Sequence, residues 1–180
     1  MVIDKSDRRV HGIDDLKVVS ELLGREPEGN FEVSLRRRDG QPVVITNDPL
    51  LLDGTPMPTL FWLVDPQLRT AVGRLEAAGG VREATAAVDQ VELDQAHMQY
   101  AALRDARLPS THRGPVPTGG VGGTRRGVKC LHAHLAWWLV GGEDPVGSWV
   151  ARQLGLTRPL QGSAFDPPLP CFQVQYGRNE

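Results

Sequence analysis

The segment FEVSLRRRDGQPVVIT, residues 31–46, constrains the possible folds of this chain more than any other. Apolar and polar residues alternate from Phe31 to Leu35, which is typical of a strand with one buried face. The dipeptide Asp39-Gly40 follows, a strong signal for a two-residue turn, and the apolar run VVI comes after it. The pattern predicts a β-hairpin, so we expect an antiparallel sheet with an apolar face that other elements cover.

Helical patterns occupy much of the remaining chain. The spacing of apolar residues and the residue types at the ends predict helices over residues 14–23, 65–79, 94–108, 127–140 and 144–154. The pairs Asp65-Pro66 and Asp144-Pro145 each predict an N-cap followed by proline in the first turn. A short apolar run predicts a buried strand over residues 60–64, whereas residues 81–93 fit no single pattern. We therefore expect an α+β fold, in which a small, mainly antiparallel sheet (hairpin 31–46 plus strand 60–64) packs with about five helices.

The chain has 180 residues, which is enough for one domain and short for two. We expect a flexible N-terminus over residues 1–12, a single globular α+β domain over residues 13–156 and a proline-rich, irregular tail over residues 157–180. Two cysteines, Cys130 and Cys171, are too few for a disulfide framework, and the first fifteen residues lack the apolar stretch of a secretory signal. These features predict a cytoplasmic protein with free thiols.

Charge and hydropathy exclude two classes of partner. The net charge is −2, so no overall field favours nucleic acid or an anionic membrane. No stretch approaches the roughly 18 consecutive apolar residues of a membrane span. We therefore expect neither a membrane nor nucleic acid as a partner, and any binding of anions must depend on local groups.

The segment Cys130-Leu131-His132-Ala133-His134 contains three side chains that suit zinc and related divalent metals. On a helix, Cys130 and His134 lie about 40° apart, whereas His132 lies about 160° from His134. We therefore expect Cys130 and His134 on one face, with His97 as a further metal ligand. Two alternatives stay open: a buried cysteine beside hydrogen-bonded histidines, and a nucleophilic thiolate that His134 activates.

Residues 109–124 contain most of the residues that break regular structure, and they predict a long exposed loop before the helix. Glycines let a backbone approach a ligand closely, and a helix N-terminus attracts anions. Arginines add bidentate phosphate contacts. The predicted anion-binding residues are Gly120, Gly122, Gly123, Thr124, Arg125 and Arg126. A flexible surface loop with solvated arginines is the alternative.

His97, Tyr100 and Arg104 recur at helical spacing and predict one polar face of the helix over residues 94–108. We expect this face to line the same cleft, with His97 as an acid, base or metal ligand. Tyr100 and Arg104 would bind the anion. The alternative is a polar helix face on which Arg104 pairs with a carboxylate.

Five segments carry a family resemblance: LLGREPEG (22–29), LLDGTPMPTLFWLVDPQL (51–68), GRLEAAGGV (73–81), HMQYAALRDA (97–106) and GVGGTRRGVKCLHAHLAWWLVGGEDPVG (120–147). Together they resemble the bacterial family catalogued as domain of unknown function 501, over roughly residues 16–150. The resemblance implies a cytoplasmic, mostly actinobacterial protein of unestablished fold and activity. It also implies gene neighbours that encode a septum-formation initiator and an exopolyphosphatase-type enzyme.

The family pattern emphasises the positions of His97, Tyr100, Arg104, Cys130, His132 and His134. Relatives commonly have one cysteine in the first hairpin strand and another after the tryptophan of the third strand. Here those regions read SLRRR and Val64-Asp65. If those cysteines bind metal in relatives, this chain lacks them, which weighs against a structural zinc site and less against an anion site.

The sequence thus predicts a protein that binds a small, phosphate-containing anion in a cleft between the helices over residues 94–108 and 127–140. His97, Cys130 and His134 would lie inside, around a divalent metal such as zinc or as catalytic acid and base groups. If the protein is an enzyme, metal-assisted hydrolysis or phosphoryl transfer fits best. The alternative is a non-enzymatic accessory protein of the cell-envelope or division machinery, which would bind a protein partner.

Overall fold

The computed structural model describes residues 13–160 and 164–166. The helices are α1 (Ile13–Leu23), α2 (Pro66–Ala77), α3 (Gly80–Ala87), α4 (Gln90–Asp105), α5 (Leu131–Leu139) and α6 (Pro145–Gln153). The strands are β1 (Gly29–Arg36), β2 (Pro42–Leu51) and β3 (Phe61–Leu63), and a 3₁₀ turn covers Val121–Gly123. The predicted flexible N-terminus, residues 1–12, lies outside the described residues, as does most of the predicted tail.

The α+β prediction is confirmed, because three antiparallel strands form one sheet in the order β1-β2-β3 and helices pack on it. The predicted hairpin is present, but its connection is longer than a two-residue turn. Arg36 lies opposite Pro42, and the Arg37 amide donates to the Gln41 carbonyl at 2.9 Å. Gly40 has a φ of +87°, whereas Asp39 has no positive φ. The turn type that needs positive φ at both central residues therefore does not form.

Aspartates begin three of the helices. The Asp65 side chain accepts a hydrogen bond from the Leu68 amide at 2.9 Å, with Pro66 at the first helical position, as the sequence predicts. Asp144 caps α6 in the same way. Asp89 caps α4, which therefore begins at Gln90 rather than at residue 94. The unassigned stretch after α2 forms a further helix, α3.

Helix α5 begins later than predicted, at Leu131 rather than at residue 127. Cys130 is the N-cap residue and its backbone is extended, with φ −149° and ψ 118°. Gly127, with a φ of +66°, lies in the irregular segment before it. The helical angles predicted between Cys130 and His134 therefore do not apply, because Cys130 is outside the helix.

The sheet is covered on both faces. Val19 of α1 packs with Ile45 and Val64, whereas Val44 belongs to the main core with residues of α5 and α6. The neighbours Val44 and Ile45 face opposite sides, as strand geometry requires. Helix α5 is the central helix, since eight of its nine residues are buried: Leu131, Ala133, His134, Leu135, Ala136, Trp137, Trp138 and Leu139.

Helix α6 packs very closely on α5. A Cβ atom at Gly147 would lie 2.5 Å from both the His134 carbonyl oxygen and the Trp138 Cβ atom, so only glycine allows this approach. The contact fixes where the start of α6 lies relative to His134. No helix among the described residues has the length and apolar character needed to cross a bilayer.

Candidate functional site

His97 lies on α4 and is 7% exposed. Its Nδ1 atom accepts a hydrogen bond from the Val121 amide at 3.1 Å, and its Nε2 atom lies 3.0 Å from the Gly127 carbonyl oxygen. Because a carbonyl can only accept, Nε2 carries the proton and the ring is neutral. Burial lowers the pKa of His97, against the smaller raising effect of the Gly127 carbonyl. The ring thus joins α4 to the segments on either side of Thr124.

The 3₁₀ turn approaches His97 at Gly120. A Cβ atom there would lie 2.4 Å from the His97 Cβ atom and 2.5 Å from its Nδ1 atom, so any larger residue would displace the ring. This is the close backbone approach that the glycine-rich sequence predicts. The group approached is a histidine of this chain.

Three of the four backbone amides from Gly120 to Thr124 that were predicted to bind an anion donate to protein acceptors, those of Gly120, Gly123 and Thr124. The amides of Gly120, Gly123 and Thr124 donate within the turn, to the carbonyls of Thr124, Gly120 and Val121, at 2.8, 2.9 and 3.2 Å. The Val121 amide donates to His97. Gly120, Val121 and Thr124 are also buried, so this part of the loop is not exposed as predicted. In this conformation these amides do not form the predicted phosphate site, because the turn closes on itself.

Arg104 and Tyr100, which the sequence predicts to bind the anion, have hydrogen-bond partners within the protein. Arg104 is 1% exposed. Its guanidinium donates to the Gly119 carbonyl at 2.7 Å, to the Pro117 carbonyl at 3.3 Å and to Asp105 at 2.9 Å. Its donors therefore hold the loop on α4.

The Tyr100 hydroxyl accepts hydrogen bonds from the Leu60 amide at 2.7 Å and the Phe61 amide at 3.3 Å. Burial raises the pKa of Tyr100 to about 12, although backbone N–H groups of Phe61, Leu60 and Gly122 lower it. The phenol is therefore neutral and serves to join α4 to the start of β3.

His134 lies in the interior beside His97. The two ring centroids are 5.8 Å apart, the proximity that the cleft hypothesis requires. The His134 Nδ1 atom lies 2.7 Å from Asp144 Oδ2, and both side chains are fully buried. Since the carboxylate is also the N-cap of α6, accepting from the Gly147 amide at 2.9 Å, one aspartate holds both helix and histidine. We call His97, His134 and Asp144 the interior cluster.

Two buried polar atoms have no hydrogen-bond partner among the described residues, His134 Nε2 and Thr124 Oγ1. When Nδ1 donates to Asp144, His134 Nε2 is unprotonated and carries a free lone pair. It is enclosed, however, since the His134 side chain is fully buried. A metal ion could not reach it without opening the interior.

Cys130 lies with His132 and Glu76, which corrects the predicted grouping of Cys130 with His134 and His97. The Cys130 Sγ atom is 3.7 Å from His132 Nδ1, which is 3.3 Å from Glu76 Oε1. All three residues are partly buried, and their potential ligand atoms lie within 4.8 Å of one another. We call Glu76, Cys130 and His132 the surface cluster.

Backbone groups orient the surface cluster. His132 Nε2 lies 3.1 Å from the Arg69 carbonyl oxygen, so Nε2 donates and Nδ1 faces Glu76 and Cys130. The Leu131 amide donates to Glu76 Oε1 at 2.6 Å. Burial lowers the pKa of His132, but the hydrogen bond with Cys130, the Arg69 carbonyl and the negative groups outweigh it and the pKa is raised. The site thus favours positive charge at His132.

A cleft of about 520 Å³ opens beside His97. Its lining residues are Gln90, Asp94, His97 and Met98 of α4 and Arg125, Arg126 and Gly127 from the segment before α5. The sequence predicts both His97 and His134 inside the cleft, but only His97 is among its lining residues. Arg125 and Arg126 are exposed, and neither forms a hydrogen bond or ion pair with any residue that the structure describes.

Sequence reasoning missed two residues that matter here, Glu76 and Asp144. Asp144 was identified as a helix cap, but nothing in the sequence indicated that its second carboxylate oxygen would bind a histidine on the preceding helix. Glu76 lies 54 positions before Cys130, near the end of α2, and carries no local signal. Only the packing of α2 on α5 brings it to the cysteine.

Comparisons with known proteins give a family and no activity. A family model described as "Protein of unknown function (DUF501)" matches residues 33–152, well over half of the chain. No curated protein and no solved structure matches it.

Proposed function

Because the chain belongs to the DUF501 family of proteins of unknown function, we propose a function from the cleft beside His97: it binds a small, phosphate-containing anion. The observation that carries this proposal is the pair of guanidinium groups of Arg125 and Arg126 at the cleft, with no protein partner among the described residues. Arginine forms bidentate, charge-assisted hydrogen bonds with phosphate oxygens.

Several other arginines of the chain have acidic partners. Arg36 binds Asp15 at 2.7 Å and Arg158 binds Glu143 at 2.8 Å. Two adjacent guanidiniums repel each other in the absence of a counter-charge. An anion that bridges Arg125 and Arg126 would supply that charge at the edge of a concave surface.

The α4 side of the cleft limits what the ligand can be. The Asp94 carboxylate accepts from Gln90 Nε2 at 2.8 Å and would repel a second anionic group. A ligand that fills the cleft therefore has a phosphate at the arginine end and a hydroxyl or amino donor at the Asp94 end. Met98, 65% exposed, offers an apolar surface between them. A hydroxyl-bearing phosphate ester has this pattern.

The proposal is one of binding. Both ring nitrogens of His97 are hydrogen-bonded within the protein, and burial lowers its pKa, so it is a neutral wall of the cleft. A catalytic role for His97, as the sequence suggested, requires release of the Gly127 carbonyl. Catalytic roles for His134 and Cys130 in this cleft have no support from its lining, which includes neither residue.

Calorimetric titration of the full chain with pyrophosphate and with hydroxyl-bearing phosphate esters tests the proposal, at constant ionic strength set with chloride. We expect the Arg125→Ala/Arg126→Ala variant to bind at least about tenfold more weakly, because each hydrogen bond to a charged group contributes about 1.5–3 kcal/mol. The matched control is Arg82→Ala/Arg113→Ala, which removes two exposed arginines outside the cleft and should leave affinity unchanged. Equal affinity in both variants, or no binding by the wild type, would reject the anion site.

The competing hypothesis, an accessory protein that binds another protein, has its own observation. Val91 and Met98 lie seven residues apart on one side of α4, and are 63% and 65% exposed. A co-purifying protein that a Val91→Ser/Met98→Ser variant fails to retain, together with no anion binding, would favour this hypothesis over the first.

A further inference from the structure

We propose that the surface cluster, Glu76, Cys130 and His132, binds one divalent transition-metal ion of the zinc class, with the fourth coordination position open to solvent. The proposal is independent of the anion site, since none of these three residues lines the cleft. It shares Cys130 with the metal site that the sequence predicts, but it has Glu76 and His132 in place of His97 and His134.

Two of the three ligand–ligand distances match a tetrahedral site. Zinc lies about 2.3 Å from a thiolate sulfur and about 2.0–2.1 Å from an imidazole nitrogen or carboxylate oxygen. At a tetrahedral angle these lengths separate sulfur from nitrogen by roughly 3.5 Å and nitrogen from oxygen by roughly 3.3 Å. The observed separations are 3.7 Å for Cys130 Sγ to His132 Nδ1 and 3.3 Å for His132 Nδ1 to Glu76 Oε1. The third pair, the Cys130 sulfur and the Glu76 carboxylate, lies within 4.8 Å, so side-chain rotation can bring all three ligands to one ion.

Two backbone contacts already orient the ligands as metal sites require. A metal-binding histidine usually donates its other ring N–H to a carbonyl or carboxylate, which fixes the coordinating nitrogen. The Arg69 carbonyl does this for His132 and leaves Nδ1 directed at the cluster. The Leu131 amide holds Glu76 Oε1 in the same way, at 2.6 Å. These contacts are independent of the clustering itself and favour Nδ1 coordination.

Charge and access also fit. The start of α5 carries partial positive charge, which opposes a bare cation, but a thiolate and a carboxylate bring two negative charges and neutralise a divalent ion. The side chains of Glu76 and His132 are 27% and 28% exposed, so ions from solvent can reach them. Sulfur, nitrogen and oxygen ligands together suit zinc more than magnesium or calcium. Three protein ligands and one open position are typical of reactive rather than structural zinc sites.

Titration of the reduced full chain with Co²⁺ and with Zn²⁺ tests the proposal. Co²⁺ bound to a thiolate shows a charge-transfer absorption that carboxylate and imidazole ligands alone do not give, so the spectrum reports on Cys130. We expect one equivalent of Co²⁺ to produce this absorption, and one equivalent of Zn²⁺ to remove it by displacement. Circular dichroism of every variant checks that it is folded.

Three variants and two controls assign the ligands. Cys130→Ser should abolish the thiolate absorption, while His132→Gln and Glu76→Gln should each weaken Zn²⁺ binding at least about tenfold. Glu76→Gln keeps an oxygen that can accept from the Leu131 amide, so its loss of metal cannot come from losing that hydrogen bond. Cys171→Ser, which changes the other cysteine of the chain, and His112→Gln should bind like the wild type.

Three results would overturn the proposal. The first is thiolate absorption that persists in Cys130→Ser or disappears in Cys171→Ser. The second is an unchanged Zn²⁺ affinity in both His132→Gln and Glu76→Gln. The third is a folded, reduced wild type that binds neither metal while Cys130 reacts rapidly with alkylating reagents, which would make the cluster a reactive cysteine beside a histidine.

Discussion

His132 and His134 are separated by one residue, yet they belong to environments with opposite properties. His134 is fully buried in the interior cluster, where Asp144 binds its Nδ1 atom. His132 is partly exposed in the surface cluster, where its Nδ1 atom faces a carboxylate and a thiol. Positions two apart on a helix lie on opposite sides, so one histidine faces the core and the other the surface beside α2.

The difference separates two conditions for binding an external group. A donor atom must be free of protein partners, and solvent must be able to reach it. His97 fails the first condition, because both its nitrogens are hydrogen-bonded. His134 fails the second, because its free Nε2 atom is enclosed. His132 meets the second condition, and the partners of its Nδ1 atom are Cys130 and Glu76, which are themselves potential metal ligands.

The largest expected effect is on the interior cluster. Asp144→Ala removes the N-cap of α6 and leaves the His134 Nδ1–H group buried without a partner. We expect it to lower the free energy of unfolding by about 3 kcal/mol, the sum of a lost cap and an unpaired buried donor. Urea denaturation measures this. Glu143→Ala, at the exposed neighbouring position, should change stability by less than about 0.5 kcal/mol. A cost below about 1 kcal/mol for Asp144→Ala would contradict a structural role for the interior cluster.

An intermediate effect is expected from pH. Burial lowers the pKa of His97 in the folded chain below its unfolded value of about 6.5. Between these two values the unfolded chain binds more protons, so the stability contributed by neutral His97 is complete above about pH 6.5 and is lost as the pH falls through the folded pKa. One proton gives a slope of at most about 1.4 kcal/mol per pH unit. The free energy of unfolding of the wild type and of His97→Gln is measured by denaturation from pH 7 downward. The wild type should lose more stability than the variant as the pH falls. An identical pH dependence in both would mean that His97 is free to protonate.

The smallest expected effect is on the surface cluster in metal-free protein. Cys130→Ser changes a partly exposed side chain outside any helix or strand, so we expect a change in the free energy of unfolding of less than about 0.5 kcal/mol. Urea denaturation in the presence of a chelator measures it beside Asp144→Ala. A decrease in the free energy of unfolding comparable to that of Asp144→Ala would show that Cys130 is needed for packing, and that the surface cluster is as structural as the interior cluster.

Local signals predicted the fold well. Apolar alternation gave the hairpin, and aspartate-proline pairs gave the starts of α2 and α6, because these patterns act within a few residues. The start of α5 was predicted too early because the residues between Gly127 and Cys130 are compatible with a helix. The extended backbone at Cys130 depends on packing with distant parts of the chain, which the sequence does not show. This error of about one helical turn changed the expected partners of Cys130, because an extended backbone directs its side chain differently from a helical one.

The candidate sites were less predictable, for a related reason. The residues Cys130, His132 and His97 were identified from their chemistry, but their partners come from distant parts of the chain. Glu76 reaches His132 across the packing of α2 on α5. Likewise, the glycines were expected to let the backbone approach a ligand closely, and the sequence contained no indication that Gly120 would approach His97.

Arg104 has a consequence for how the molecule opens. Its buried guanidinium binds the carbonyls of Pro117 and Gly119, in a segment that belongs to no regular helix or strand. Releasing that segment alone would leave the buried guanidinium without these carbonyl acceptors, although Asp105 of α4 would still bind it, so we expect local unfolding of the loop to be coupled to opening of α4. We therefore expect residues 117–124 and α4 to open as one cooperative unit, which contains the α4 wall of the cleft and the loop that leads to Arg125 and Arg126.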